Sequence, residues 1–419
     1  MNNNGPSFFL RIVLFIGLWF LGSAWAQQQT LVVAAYSSVD EIIKAAIPKW
    51  KIKHPGADVR VLRRAFDDHH NAMIASLSTA SNLPDVMVVE FSYLGRFAAG
   101  GQLEDLAAAP FQVKNIQQSY VPFAFHQATI STGAVVAVPA DIGPGTLLYR
   151  NDLLRKAGVN EADLTKSWES YVAAGVKIKA ATGAFLLPEA SDLAEILIRS
   201  NVRPGEGLYF GADGKVLVES ERFVRAFELA RLVRQQKLDA QWKAWSQPWN
   251  DGLMNGGVVS IMSGAWMVGH LATWIAPDSK GLWRAAQLPG NTWGAWGGTF
   301  YTVPKRAKNK ALAWEFIKFM TLNREVQIAA FKTQNAFPSL VNAHDDPFFE
   351  LPVDYLGGQR ARILWREAAR HVSSIEVNEL DQKASDVIYN QLDKVLNQGK
   401  NIVLALRDAR SSLESMLRH

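Results

Sequence analysis

The chain has 419 residues, 48% hydrophobic and 20% charged, with 14 Trp and no Cys. At roughly 150 residues per domain it holds two or three domains, each able to bury a core without disulfides. These fractions exclude disordered and fibrous classes, and zero Cys excludes thiol nucleophiles, thiolate metal sites and a lipid-bearing cysteine. The formal charge of +5 is spread thinly: the densest basic runs, 60–64 and 305–310, are short and lack interleaved aromatics. They read as solvated faces, so no nucleic-acid partner is expected. The Trp distribution is uneven. Eight of the 14 lie between Trp242 and Trp296.

Residues 1–26 read as a signal peptide: Arg11, an uncharged apolar run over 12–22, then Ala24-Trp25-Ala26 as the cleavage pattern. The run is short for a membrane span, and polar Gln27-Gln28-Gln29 follow it. The expected mature chain starts at 27, is exported, carries net +4 (43 basic against 39 acidic residues) and, having no Cys, is free in a periplasm.

From there the pattern alternates. Strands are expected at 31–36, 58–62 and 85–89, and helices at 39–54, 69–80 and 92–99, the last ended by Gly100-Gly101. That alternation predicts βαβ units on a largely parallel sheet. Residues 134–139 and 146–149 read as two strands separated by a turn at Gly143-Pro144-Gly145. Helices follow at 151–157, 167–181, 191–200 and 220–236, a buried strand at 258–262, a helix at 310–321, and two closing helices at 381–397 and 401–417 broken at Gly399. There is no repeat and no linker, which predicts interwoven domains.

No P-loop, no G-x-G-x-x-G, no G-x-S-x-G and no H-E-x-x-H occurs. His69-His70 after Asp67-Asp68 lack a second ligand cluster, so they read as a solvated helix start and no metal is expected.

Four stretches in order resemble the carbohydrate-binding family of extracellular solute-binding proteins of bacterial ABC transporters, which is maltose-binding-protein-like. Asn82-Leu83-Pro84-Asp85-Val86, then Glu90, then Gly100-Gly101-Gln102-Leu103 and Leu106 form the first. Val138-Pro139-Ala140-Asp141 followed by Leu148-Tyr149-Arg150-Asn151-Asp152 is similar to the family's first crossing between lobes. Ile261-Met262-Ser263-Gly264-Ala265-Trp266 resembles its Gly-x-Trp turn, and Gly297-Gly298-Thr299-Phe300 leading to Trp314-Glu315-Phe316 resembles the return to the first lobe. The chain departs from the common pattern at Arg150 and at Gly257-Val258-Val259.

The resemblance implies an α/β, two-lobe periplasmic binding protein fold of type II, with interwoven lobes joined by a multi-strand hinge. It implies lobes of 27–139 plus 290–322 and of 140–289 plus 323–419. It also implies a monomeric receptor without cofactor or enzymatic activity, handing a carbohydrate to an inner-membrane ABC permease with separate ATPase subunits.

Sugar recognition needs aromatic faces for the C–H faces of the rings and polar groups for the hydroxyls. Trp266 is the leading stacking candidate, with Gly264 allowing close backbone approach; Trp245, Trp249 and Trp296 come next, and Trp274 and Trp283 after them. Gly297 and Gly298 could offer amides, and Glu90, Asp141, Glu189 and Tyr36 lie just past expected strand ends, where clefts form. Trp50, Trp168 and Trp314 read as packing, and Tyr355 to Gln359 as a contact loop or a turn. A polyol or glycerol-phosphoester ligand, with Arg150, Arg362 and Arg366 as its anion partners, and an exported polysaccharide-degrading enzyme are the alternatives.

Overall fold

The computed structural model describes residues 29–418, besides Met1. The expected signal peptide and its cleavage point after Ala26 lie outside the described residues. Eight strands follow in order: β1 (Gln29–Tyr36), β2 (Ala57–Arg64), β3 (Val86–Glu90), β4 (Val138–Arg150), β5 (Ser260–Gly264), β6 (Trp283–Ala286), β7 (Ala295–Thr302) and β8 (Phe337–Pro338). β1 pairs in parallel with β2 and with β3, as the alternating pattern predicts. Helices Val39–Lys53 and Phe66–Thr79 supply the crossovers. The sheet becomes mixed at β7, which runs antiparallel between β3 and β4, with Val88 opposite Tyr301.

β4 is the long member. Its first half pairs with β7, and its second half pairs antiparallel with β5 and β6 in a second region of sheet. β8 adds a short pairing at Asp141 and Ile142. Three strands, β4, β7 and β8, therefore meet where the two sheet regions join.

The expected turn at Gly143-Pro144-Gly145 is corrected: these residues lie within β4, which is continuous. Neither glycine has a positive φ. Their role is space. A Cβ on Gly143 would overlap the Trp296 carbonyl, and one on Gly145 would come within 2.7 Å of Gly294 O. The absence of side chains lets the crossing strands touch.

The elements with strong local signals form where expected. Helix Trp168–Thr182 is opened by a capping box between Ser167 and Ser170 and closed by Gly183 at φ 80°. The closing pair, Asp381–Gln398 and Ile402–Met416, breaks at Gly399 (φ 69°), and Asn401 caps the second by accepting the Leu404 N–H at 3.2 Å. Helices Gln247–Asn255, Arg324–Gln334 and Ala361–His371 go beyond the sequence reading. Trp50, Trp168 and Trp314 are core residues as expected; Trp50 meets Phe316 edge-on at 5.2 Å. Burying one such indole contributes at most about 5 kcal/mol.

Candidate ligand-binding cleft

Trp266 follows β5 directly. Gly264 allows its position, because a Cβ there would overlap the indole and stand 2.7 Å from Trp296 O. The Trp266 Nε1–H donates to the Trp296 carbonyl at 2.8 Å, which ties the ring to β7 at the crossing. Next to it stands Trp245, near-parallel at 6.2 Å, and beyond that Trp274, again near-parallel at 6.2 Å. His270 contacts all three rings edge-on, at 5.5 to 5.9 Å, and its Nδ1 accepts the Trp274 Nε1–H at 3.0 Å. Burial pulls its pKa down, so it stays neutral.

Trp245 is 49% exposed and Trp274 52% exposed, large apolar surfaces that folding has left in water. Trp245 also adopts φ 66°, a left-handed conformation that a bulky residue rarely holds. The left-handed backbone and the exposed ring together make Trp245 a candidate contact position. Trp249 is buried beneath it at 5.1 Å, supporting the platform instead of forming its surface.

The second group sits at the crossing. Gly297 (φ 81°) lies where a Cβ would be 3.3 Å from Trp266 Nε1 and 3.9 Å from Glu90 Oε1, so Glu90 and the platform share one corner. Glu90 accepts the Ser92 N–H at 2.8 Å and the Ser92 hydroxyl at 2.5 Å. Its own N–H donates to His70 Nε2 at 3.1 Å. His70 Nδ1 donates to Phe66 O at 2.8 Å, which fixes the tautomer. Burial lifts the Glu90 pKa and lowers those of His69 and His70 to about 4.

Asp141 accepts from the side chain and backbone of Thr299, and Tyr36 joins the chain through a 2.8 Å bond to Thr299 Oγ1. Because Thr299 gives its one hydroxyl proton to Asp141, Tyr36 is the donor in that link. Burial, with Glu90 nearby, raises Asp141 to about 6. Gly298, at φ 139°, lies against Asp141 O, so this pair forms part of the crossing rather than an open wall.

The structure adds a third group. A cavity of about 260 Å³ opens between Ser92 and Gly95 on one side and Glu195, Arg199, Tyr209, Asp381 and Tyr389 on the other. Arg199 pairs with Glu195 at 2.7 Å and lies 6.0 Å from the Trp296 ring, so this cavity adjoins the crossing as the platform does. A larger cavity of about 460 Å³ lies across Gly95 and Val377 and has no aromatic residue in its wall.

Several expectations are corrected. Glu189 pairs with Arg234 beside Asp239 at the start of helix Ala190–Arg199, about 15 Å from Arg199. Trp283 is fully buried, donating to Ser279 at 2.9 Å. Tyr355 is a packed turn residue, its hydroxyl donating to Ala276 O at 2.8 Å. The solvated reading of His69-His70 fails: both are fully buried, and His69 donates to Val88 O at 2.7 Å. Arg150 is held bidentate by Asp152, Arg362 by the Leu351 carbonyl, and Arg366 by His344 O and Glu350. Arg150 Nη1 and Arg362 Nε are nonetheless buried without a hydrogen-bond partner. A signal for Trp274 was available, since Trp266, His270 and Trp274 follow a spacing of four and share a helical face. Glu195 and Arg199 share the same spacing of four on helix Ala190–Arg199, but nothing in the sequence links them to Asp381.

The comparisons with known proteins bear on the whole chain. The profile of the bacterial extracellular solute-binding protein family matches residues 45–354. The chain belongs to that family. The arabinooligosaccharide-binding protein of Bacillus subtilis (strain 168) is 26% identical over 65% of this chain, and the match spans just under two thirds, 64%, of that relative's own length. Among solved structures, an extracellular solute-binding protein of family 1 superposes with a TM-score of 0.81 at 23% identity, over 92% of this chain and 99% of the other. The binding protein of Bifidobacterium animalis subsp. lactis Bl-04, solved with β-1,6-galactobiose, gives 0.75 at 22% identity, over 92% and 96%. These likenesses show the fold of this solute-binding protein: two α/β lobes of the periplasmic binding type. Among the described residues no helix is long and apolar enough to cross a membrane.

Proposed function

We propose that this solute-binding protein is the carbohydrate receptor of an ABC importer. The observation that carries the reading is the platform of Trp266, Trp245 and Trp274 beside the crossing strands, with two of its rings half-exposed. Indole faces in a row suit the C–H faces of successive sugar rings, and the Glu90 and Asp141 groups next to them suit hydroxyls. The names of the relatives, oligosaccharide-binding proteins among them, support the same class.

The reading includes lobes of 27–139 plus 290–322 and of 140–289 plus 323–419, closing about β4, β7 and β8 when ligand contacts both. It includes a monomer released into the periplasm after cleavage behind Ala26, without cofactor or nucleic acid. Its partner is an inner-membrane permease with separate ATPase subunits, and the receptor itself performs no chemistry. The phosphoester alternative has less support than the sugar reading, because Arg150 and Arg366 already pair with Asp152 and Glu350.

A melting-shift screen over mono-, di- and oligosaccharides tests the reading, since a ligand that closes the lobes raises apparent stability by mass action. A rise with at least one sugar, a change in Trp fluorescence and no new product after long incubation are the expected results. Release of shorter sugars would make the protein an enzyme.

A further inference from the structure

A second group of rings lies at the carboxyl ends of the parallel strands. Tyr36 ends β1 and pairs with Arg64 at the end of β2, Phe66 comes two residues later, and Glu90 ends the neighbouring β3. Clefts of α/β sheets open at such ends. Phe66 meets Tyr36 edge-on at 5.2 Å and His70 at 4.6 Å, and Tyr93 stacks on His70 at 4.1 Å. Tyr36 and His70 are buried, whereas Phe66 is 39% exposed and Tyr93 is partly exposed. Two rings backed by buried rings therefore keep part of their apolar surface in water. Glu90 joins this group to the platform: its N–H donates to His70 Nε2, and its carboxylate shares the Gly297 corner with Trp266. Burial, then Asp67, Glu90 and Asp386, raises the Tyr93 pKa. Asp386 sits on helix Asp381–Gln398, which the reading above gives to the second lobe, so Tyr93 stands at the gap between the lobes.

We propose that Phe66 and Tyr93 form the first lobe's sugar-contacting wall: when the lobes close, they cover a sugar ring that rests on the tryptophan platform. The proposal rests on the carbohydrate reading above and names the contacts that the first lobe adds to it. Trp245, Trp266 and Trp274 all belong to the second lobe in that reading, so a sugar touching them alone would favour open and closed states equally. A ligand shifts such an equilibrium only by contacts it makes better in one state. Phe66 and Tyr93 supply those contacts, because their exposed surface leaves water only when a sugar is brought against it.

The test is calorimetry and small-angle X-ray scattering on the mature protein with gluco-, galacto-, xylo- and arabino-oligosaccharides of two to four units. At least one is expected to bind the parent and to reduce its radius of gyration. Phe66→Ala and Tyr93→Ala should each weaken that sugar about tenfold and lessen the contraction. The Trp fluorescence change at saturating sugar should persist in both, since the sugar still reaches Trp266. Phe66→Tyr, which keeps the ring, should restore parent affinity, and Ile52→Ala, at a residue 81% exposed on helix Val39–Lys53, should leave it unchanged. Parent-like affinity in either of the alanine variants at 66 and 93, or an equal loss in Ile52→Ala, would overturn the wall and leave the carbohydrate reading standing. Failure of every sugar to bind the parent would overturn both.

Discussion

The aromatic platform and the polar cavity both reach Trp296, and they are built in different ways. The platform is nearly one segment: Trp266, His270 and Trp274 share a helical face, and Trp245, 21 residues earlier, is the only ring brought from farther along the chain. The cavity assembles Ser92, Glu195, Arg199, Asp381 and Tyr389, which span almost 300 positions and three separate elements. The platform exposes apolar surface that costs free energy until something covers it. The cavity instead pairs its polar groups internally, Arg199 with Glu195 and Asp381 with the Asn378 N–H.

Removing the anchor of the platform is the largest expected break in that contrast. Trp266→Ala should weaken sugar binding by about 2 kcal/mol or more, some thirtyfold, and abolish the ligand-induced fluorescence change. The ligand-free protein should lose only about 1 kcal/mol, mainly the bond to the Trp296 carbonyl. Unaltered affinity in a binding titration would remove the platform from the site.

Next comes Gly143→Ala, which forces a methyl group into the Trp296 carbonyl and pushes β4 and β7 apart. About 2 kcal/mol of stability should be lost, measured by denaturant unfolding, with binding weakened through the displaced crossing. Gly56→Ala, at a position with open space around it, is the control and should stay within about 0.5 kcal/mol of the parent.

Trp274→Ala separates the far end of the platform from the near end. Affinity for long oligosaccharides should fall by about 1 kcal/mol while that for a disaccharide is unchanged, read by calorimetry over a chain-length series. An equal loss for both lengths would place Trp274 outside the contact surface.

The last effect belongs to the Asp141 carboxyl. Asp141 titrates at about 6 in the folded chain against about 3.9 unfolded, so the folded state holds the extra proton and this residue lowers stability progressively as pH rises from 4 to 6. Asp141→Asn should therefore gain on the parent across that window by about 1 kcal/mol, a figure reduced for partial exposure, and hold a constant advantage above it. His69 and His70 act with the opposite sign: being neutral in the fold down to about pH 4, they lose stability as pH falls below 6.5. The difference between variant and parent isolates Asp141, and a difference that does not vary with pH would show that Asp141 keeps its ordinary pKa.

Much of the fold was legible because its signals are local. β1, β3 and helix Val39–Lys53 follow from period and β-branched composition, and the break at Gly399 from a residue that tolerates positive φ. Gly143-Pro144-Gly145 misled for the same reason: local chemistry reads two glycines around a proline as a turn, whereas close approach of β7 is what requires them. Trp266 stood out from its Gly-x-Trp setting and Glu90 from its place at the end of β3, whereas Asp141, expected just past a strand end, lies inside the continuous β4. Glu189 looked equivalent to them, and only Arg234, 45 positions away, shows it to be an ion-pair residue.

By itself, then, the sequence determined the alternation of strands and helices, the family resemblance and the concentration of tryptophan in one segment. These depend on neighbours along the chain. The tertiary structure alone decided which indoles are core and which are surface, burying Trp249 and Trp283 while leaving Trp245 and Trp274 in water. It also decided that Glu189 is taken up by Arg234, because burial and charge pairing are properties of residues far apart in sequence that folding brings within a few ångströms.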